Sequence, residues 1–399
     1  MGLIGLIAKR ERLQFHAGAE MARLAERLGP AAIKLAQAVS ARRDLLPATF
    51  LEPLGRLQDN VRPITRKQAR CILEAAYGQS ISRIFRNLGD SPIASGSVAV
   101  VFRGTTAEGD DVAIKVVRPG VEASLRADLR CVRLVANVLA RRRSFSSIPI
   151  VAIVDELAEC VLRQCNMELE ASAAIEIGQG SAAGVIIPKP RRELSSRHVL
   201  VMDFVESEAK FSDRSVEIRT FETCCIELLR AVYRMIFVLG VVHCDLHPGN
   251  VGIRSNGDIV LYDFGLVAIV SEGERRLFRE LFIAVARRDV AGVAKCIIVS
   301  SVGRPPLFDE AGFNQEIGAI VQQRGGQRAG EFSVVNFVRE LFEIQRRYKL
   351  VGTPGFAGAI WALLMFEGLV RERFPTLDFQ AEALPFAISG FLQDHRRLI

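Results

Sequence analysis

No apolar run in this chain approaches the roughly eighteen residues that a membrane-crossing helix requires. Its longest candidates, AGAIWALLM and LPFAISGFL, are too short. Any membrane contact is therefore expected to be peripheral. Eight cysteines occur without a single C-x-x-C pair, which speaks against a disulfide framework or paired-thiolate zinc and for free thiols in a reducing cytoplasmic compartment. The N-terminus lacks the charged start, apolar centre and small-residue cleavage site of a secretion signal. Neither an internal repeat nor a low-complexity tract is present, so a solenoid is excluded. A dense basic block is also missing: the +7 net charge is scattered through pairs such as Arg275-Arg276 and Arg346-Arg347. That distribution disfavours nucleic acid as a partner and suits a phosphorylated ligand or an anionic membrane surface.

What is present is a globular chain of 399 residues, 49% of them apolar, enough for two or three packed units. Residues 1–88 read as a helical extension, with Leu24, Leu28, Leu35 and Val39 near helical spacing. Its first residues, MGLIGLIAKRERLQF, suit either a helix packed on the body or a small amphipathic membrane contact. From Pro92 the period changes. SVAVVFRGTT and DVAIKVV, separated by Glu108-Gly109-Asp110, predict a hairpin. After Pro119-Gly120 come a long helix and a second helix over IVDELAECVLRQCNMELEASAAI, then a strand at HVLVMDFV. Residues 89–206 form this mixed segment, and 207–399 is mainly helical apart from VVHCDLHPGNVGI and DIVLYDFGLVAIV.

Three segments point to one chemistry. Lys115, in the second hairpin strand, needs an anionic partner if its face is buried; otherwise its stem packs and its head reaches water. His243, Asp245 and Asn250 spell H-x-D-x-x-x-x-N, and Asp263-Phe264-Gly265 follows thirteen residues after Asn250. In phosphoryl transfer from ATP, a loop carboxylate meets the acceptor hydroxyl while an asparagine and a second aspartate hold Mg2+, and a strand lysine clamps the phosphates. Asp245, Asn250, Asp263 and Lys115 fill those places in that order. A zinc site built on His243, Cys244 and His247 competes, but no second Cys/His pair has ligand spacing and Pro248-Gly249 breaks a shared helical face. Both histidines are expected to brace the loop, with Cys244 as a small filler.

With these segments in hand, the sequence resembles the UbiB/AarF atypical kinase-like family, associated with coenzyme Q biosynthesis and isoprenoid-lipid homeostasis. KLAQAVSARRDLLP resembles that family's K-x-G-Q and S-x-R-x-D-L-L-P signature, and LEPLGRLQDNVRPI its L-x-x-L-Q-D continuation. AIKVVRPGV, VVHCDLHPGN and FEGLVRERFPTLDF match further family runs, so the likeness extends over residues 30–380. It implies an α+β, two-lobed protein-kinase-like fold with the helical extension laid across the active cleft. It also implies ATP or ADP with Mg2+, a nucleotide loop through Ala94, Ser95, Gly96 and Ser97, and Lys34 and Gln37 directed at the nucleotide from the extension. On residues alone, Lys34 reads as a solvated helix side chain and Gln37 as a cap or contact.

The departures bear on activity. Ala36 stands at the family's glycine, and Gly96 stands at an alanine, loosening the loop. Gln164 and Asn166 replace both carboxylates of an E-x-D motif, so another acid must pair with Lys115, and Glu159 is the expected one. The expected function is an Mg-dependent ATP-binding kinase or ATPase acting on a small molecule of a lipid or quinone pathway. An aminoglycoside-type phosphotransferase and a nucleotide-sensing pseudokinase scaffold are the alternatives.

Overall fold

The computed structural model describes residues 3–28, 30–41, 46–55, 57, 64–141, 150–181, 184–305, 307–324 and 333–397. Arg42, Asp44 and Leu45 of the DLLP run, Gln58 and Asp59, and the side chains of the first ten residues lie outside that set. The chain divides into two compact units.

The first unit takes in residues up to Ala41, Ala48–Ile175 and Pro188–Val205. It opens on α1 (Leu3–Leu28), α2 (Pro30–Ala41) and α3 (Ala48–Gly55), followed by α4 (Arg66–Tyr77). Helices α1 and α3 meet where Gly18 abuts the backbone carbonyl of Phe50, and a Cβ on Gly18 would collide with that oxygen. A Gly18→Ala substitution is therefore expected to separate α1 from α3 and to cost about 1–3 kcal/mol, read as a lower urea midpoint. Helix α4 is sharply bounded. Thr65 and Gln68 form a reciprocal capping box at its start, and Gly78, at φ +64, ends it in the left-handed region.

Strands β1 (Phe85–Leu88), β2 (Ala94–Ser95), β3 (Ala99–Thr106) and β4 (Asp111–Val117) follow, then α5 (Val121–Ala140), α6 (Ile150–Arg163) and α7 (Met167–Gly180). After β5 (Val185–Ile186), which belongs to the second unit, β6 (Val199–Asp203) completes an antiparallel sheet in the order β1-β3-β4-β6, with β2 paired to β3. One sheet face is dry: Val100, Phe102, Val112, Ile114, Val116, Val199 and Val201 are buried together with Leu73 of α4. Alternation along β4 sends Lys115 to the opposite face. Helix α2 packs on α5 and α6, with Leu35, Leu129 and Leu157 between them.

The structure departs from the sequence pattern at two places. The sheet begins at Phe85, ahead of Pro92, because the four residues FRNL form a strand whose burial runs buried, exposed, exposed, buried and so lacks strict alternation. The helix expected over residues 153–175 is two helices, interrupted at Gln164-Cys165-Asn166. There the Asn166 side chain accepts from the Glu168 amide at 3.0 Å and starts α7.

The second unit takes in Glu176–Ile187 and the chain from Glu206. It contains β7 (Ala209–Lys210), α8 (Ile218–Arg234), a π-helical turn over Met235–Leu239, β8 (Val241–His243), β9 (Val251–Ile253), β10 (Ile259–Leu261) and β11 (Val267–Ile269). Among the described residues six helices follow: α9 (Glu272–Ala286), α10 (Val290–Val299), α11 (Glu310–Arg324), α12 (Val334–Arg347), α13 (Pro354–Val370) and α14 (Phe379–Arg397). The strands form a sheet β5-β10-β9-β7 and a pair β11-β8. Sequence patterning found little of this sheet, since each strand has three residues or fewer, too short for a period to show.

Helix α13 is buried almost all round, from Phe356 to Val370, as expected for a helix without a polar face. Glu274 sets its entry. One carboxylate oxygen accepts from Ser271 N at 2.8 Å at the start of α9, and the other accepts from Thr353 Oγ1 and from Phe356 N at 3.2 Å at the start of α13. Glu274→Ala removes caps from two helices at once, so a loss of about 2–3 kcal/mol is expected, again read in the urea midpoint. Carbonyls released by the π turn are met by arginines of α9: Arg279 donates to Phe237 O at 2.8 Å and Arg275 to Val238 O. Among the described residues no helix is long and apolar enough to cross a membrane.

Candidate active site

Lys115 lies in the middle of β4, paired with Val101 on one side and Leu200 on the other. Only 10% of its side chain is exposed, so its ammonium requires an anion. Glu170, one turn into α7, supplies it, with Oε1 at 2.7 Å from Nζ and the carboxylate 2% exposed. The expected partner Glu159 is displaced by the break at residues 164–166, which re-aims the following helix. Cys165 and Met167 are buried beside the break, and Met167 packs with Val117, Ala171 and Leu200, fixing α7 against the strand that carries the lysine.

Residues 94–99 form a tight connection between β2 and β3. Ser95 pairs with Val100, and Gly96 N–H donates to Ala99 O at 2.9 Å. Gly96 does not have a positive φ, and a Cβ there would meet only Ala99 O, at an ordinary 3.5 Å. Gly96→Ala should therefore fold and gain about 0.4–1 kcal/mol by restricting the unfolded chain, measurable as a raised melting temperature. Ala94 and Ser95 are exposed, whereas Ser97 is buried. In α2, Lys34 is half-buried and Gln37 donates its amide to Leu57 O at 2.9 Å, bracing the chain beyond α3. Ala36 is buried at its packed face.

The second unit builds the remaining residues from two loops on four short strands. Residues 244–250 join β8 to β9, residues 262–266 join β10 to β11, and β11 returns to pair with β8, Val267 opposite His243. Cys244 N–H donates to Leu266 O at 3.0 Å and Tyr262 N–H to Asn250 O at 2.9 Å, so the loops are stitched along both sides.

His243 is fully buried and joins the loops from beneath. Its Nδ1 accepts from Asp245 N–H at 3.1 Å, which leaves Nε2 to donate to Tyr262 O at 3.0 Å. Burial lowers its pKa below 6.5, overriding the nearby carboxylates. A histidine with a depressed folded pKa contributes stability that is complete above about pH 6.5 and is lost as pH falls towards the folded value. His243→Gln can keep one acceptor and one donor without titrating, so its stability profile should lack that acid step in denaturant titrations between about pH 5 and pH 7.5.

His247 is also spent on the loop. Its Nδ1 accepts from Gly249 N–H at 3.0 Å and its Nε2 stands 3.8 Å from Asp245 Oδ2. A side chain at Gly249 would strike the imidazole, with Cβ 2.6 Å from its Cε1. Asn250 is buried and gives its amide nitrogen to Asp245, at 3.0 Å to the carbonyl and 3.2 Å to Oδ2. That leaves its side-chain oxygen as the group able to face a cation. Asp263 sits at φ +55, a conformation aspartate tolerates better than most residues, and its Oδ1 accepts from Gly265 N–H at 3.1 Å. Phe264 is buried edge-to-face against the His243 ring, centroids 5.2 Å apart. Sequence reading missed one support: Trp361 of α13 donates Nε1–H to Cys244 O at 3.1 Å. Nothing in local spacing links a residue more than a hundred positions away to this loop.

The pattern of the ABC1 atypical kinase-like domain matches residues 56–297, more than half of the chain and inclusive of Lys115, Glu170 and both loops. This chain belongs to the ABC1 atypical kinase-like family. It is 30% identical over 389 residues to "Probable protein kinase UbiB" of Aeromonas salmonicida, covering 95% of this chain and 71% of that one. Likeness to the protein of the same description from Shewanella loihica is also 30%, over 383 residues, with 92% and 69% covered. Among solved structures, the complex of Rv3197 with erythromycin from Mycobacterium tuberculosis superposes with a TM-score of 0.54 at 19% identity, covering 94% of this chain and 98% of that one. The fold is thus kinase-like, and the matched region contains both of the loops just described.

Proposed function

We propose that this ABC1 family member binds Mg–ATP and transfers the γ-phosphoryl group to a small molecule of a lipid or quinone pathway, or to water. The observation that carries this reading is the Asp245–Asn250 pair, hydrogen-bonded within a loop that His243 ties to the Asp263 segment. The carboxylate of Asp263 and the side-chain oxygen of Asn250 are hard oxygen donors of the kind Mg2+ takes, the phosphates completing its shell. Bound there, the ion would neutralise charge on the phosphates. Asp245 is partly exposed and would accept the proton of the attacking hydroxyl. Lys115, held by Glu170, would clamp the phosphates. Quinone biosynthesis is proposed from the UbiB relatives' name.

The scaffold reading draws on Gln164 and Asn166. Against it, the lysine keeps a carboxylate partner in Glu170 and Asn166 does useful work as the cap of α7. The reading is tested by titrating Mg–ATP into wild type and Asp263→Asn in a calorimeter. Wild type should bind at micromolar concentrations and the variant should lose the magnesium-dependent part of its affinity; equal magnesium dependence in both would dismiss the assignment.

A further inference from the structure

Helix α5 is apolar on two opposite sides. Leu125, Leu129 and Ala136 are buried and Val132 is half-buried, on the side packed against α2 and α6. The same four-three-four spacing recurs two residues on, at Ala127, Cys131, Leu134 and Val138. Two residues turn a helix by about 200°, so this second stripe faces outwards. All four of its members are exposed, Leu134 by 66% and Val138 by 57%. A helix with apolar residues on both sides is ordinarily enclosed on both.

Arginines border the outward stripe. Arg126, Arg130 and Arg133 follow one edge and Arg141 lies near its end, all exposed. Arg126 pairs with Glu122 at 2.7 Å and Arg133 with Asp155 at 2.6 Å, whereas Arg130 and Arg141 make no ion pair among the described residues. Between residues 121 and 143 six arginines stand against two acidic residues, so this stretch carries four of the chain's seven net positive charges. An apolar stripe edged by arginines suits a helix lying in a bilayer interface, where aliphatic stems cover apolar surface and guanidinium heads reach lipid phosphates.

We infer that the outward face of α5 docks this protein on an anionic membrane surface. Leu134 and Val138 enter the boundary between headgroups and acyl chains, and Arg130 and Arg141 meet lipid phosphates. This goes beyond the nucleotide reading and does not depend on it. By sequence alone, MGLIGLIAKRERLQF offered a membrane contact. Helix α1, which contains most of that run, does expose Leu13, Met21 and Leu24, but it sets five basic residues against three glutamates, half the net charge of the α5 stretch. An apolar stripe this small attaches weakly, so charge must supply the rest, at about fivefold in affinity for each arginine near the surface. Of the two helices, α5 is therefore the anchor.

The test is co-sedimentation of the full chain with vesicles of phosphatidylcholine, alone or with about 30% phosphatidylserine, beside light scattering and melting temperature. Wild type should bind the anionic vesicles, leave the neutral ones, and be released by about 0.5 M NaCl. Leu134→Gln with Val138→Gln should weaken binding about tenfold or more. Arg130→Gln with Arg141→Gln should weaken it about twentyfold, fivefold for each arginine. Both double variants should melt within about 2 °C of wild type, because the substituted side chains face solvent. On α1, Leu13→Gln with Met21→Gln should bind as wild type does. Wild type that ignores anionic vesicles overturns the inference, as does equal binding to neutral ones. Loss of binding in the α1 variant with retention in both α5 variants assigns the contact to α1 and overturns it. A wild-type dimer that Leu134→Gln with Val138→Gln dissociates also overturns it, since the stripe is then covered by a second copy. Should that apolar variant fail to fold, the arginine variant decides: wild-type affinity for anionic vesicles in it overturns the inference.

Discussion

Replacing Asp245 by asparagine is expected to lower phosphate release at saturating Mg–ATP by about 10²–10⁴-fold, the range for loss of a general base. Affinity for Mg–ATP should stay within about threefold of wild type, because the interaction removed is one made with the acceptor hydroxyl in the transition state. The substitution is conservative in shape. Asparagine at 245 can keep its side-chain oxygen towards the Asn250 amide, and the backbone contacts with His243 and His247 do not involve the carboxylate. Single-turnover phosphate release, run beside calorimetric binding, separates the two quantities. Undiminished release would mean that the carboxylate takes no part in the chemistry and that Asp245 serves only to orient Asn250.

The second large effect concerns folding of the first unit. Glu170→Ala should destabilise the protein by about 3–5 kcal/mol, the cost of breaking a buried ion pair from one side, because the Lys115 ammonium, 2.7 Å from the lost oxygen, stays in a dry setting. Replacing both partners with apolar residues of similar size, as in Lys115→Met with Glu170→Leu, should recover most of that stability while abolishing nucleotide affinity. Urea unfolding of the two variants, with the double substitution as reference, measures the difference. An equally unstable double variant would show that the pair contributes packing alone, and a Glu170→Ala variant as stable as wild type would show that solvent reaches the lysine.

That Asp245, Asn250 and Asp263 fall on two loops was legible because they lie within nineteen positions of one another; their roles belong to the proposed phosphoryl transfer. The hairpin carrying Lys115 was legible too, since seven and eight residue strands with a polar turn display their alternation openly. The partner of the lysine was not. Both α6 and α7 carry glutamates, and periodicity gave no warning that the chain turns at residues 164–166; what makes the turn is Asn166 exchanging helix propagation for a cap, a tertiary decision supported by buried Cys165 and Met167. The strand at Phe85 escaped notice because its burial does not alternate, and the three-residue strands that carry the 244–250 loop are below any window. Loop supports such as Trp361 depend on a helix distant in sequence. Despite the amides at Gln164 and Asn166, Lys115 keeps a carboxylate partner, since Glu170 carries the charge.

Trp361 has a practical consequence. It is the only tryptophan in the chain, and its indole hydrogen bonds to the carbonyl immediately before Asp245. Emission excited selectively in this protein therefore originates from one fluorophore attached to the loop that carries Asp245, and its intensity and wavelength maximum can follow motion of that loop in stopped-flow mixing without any added label.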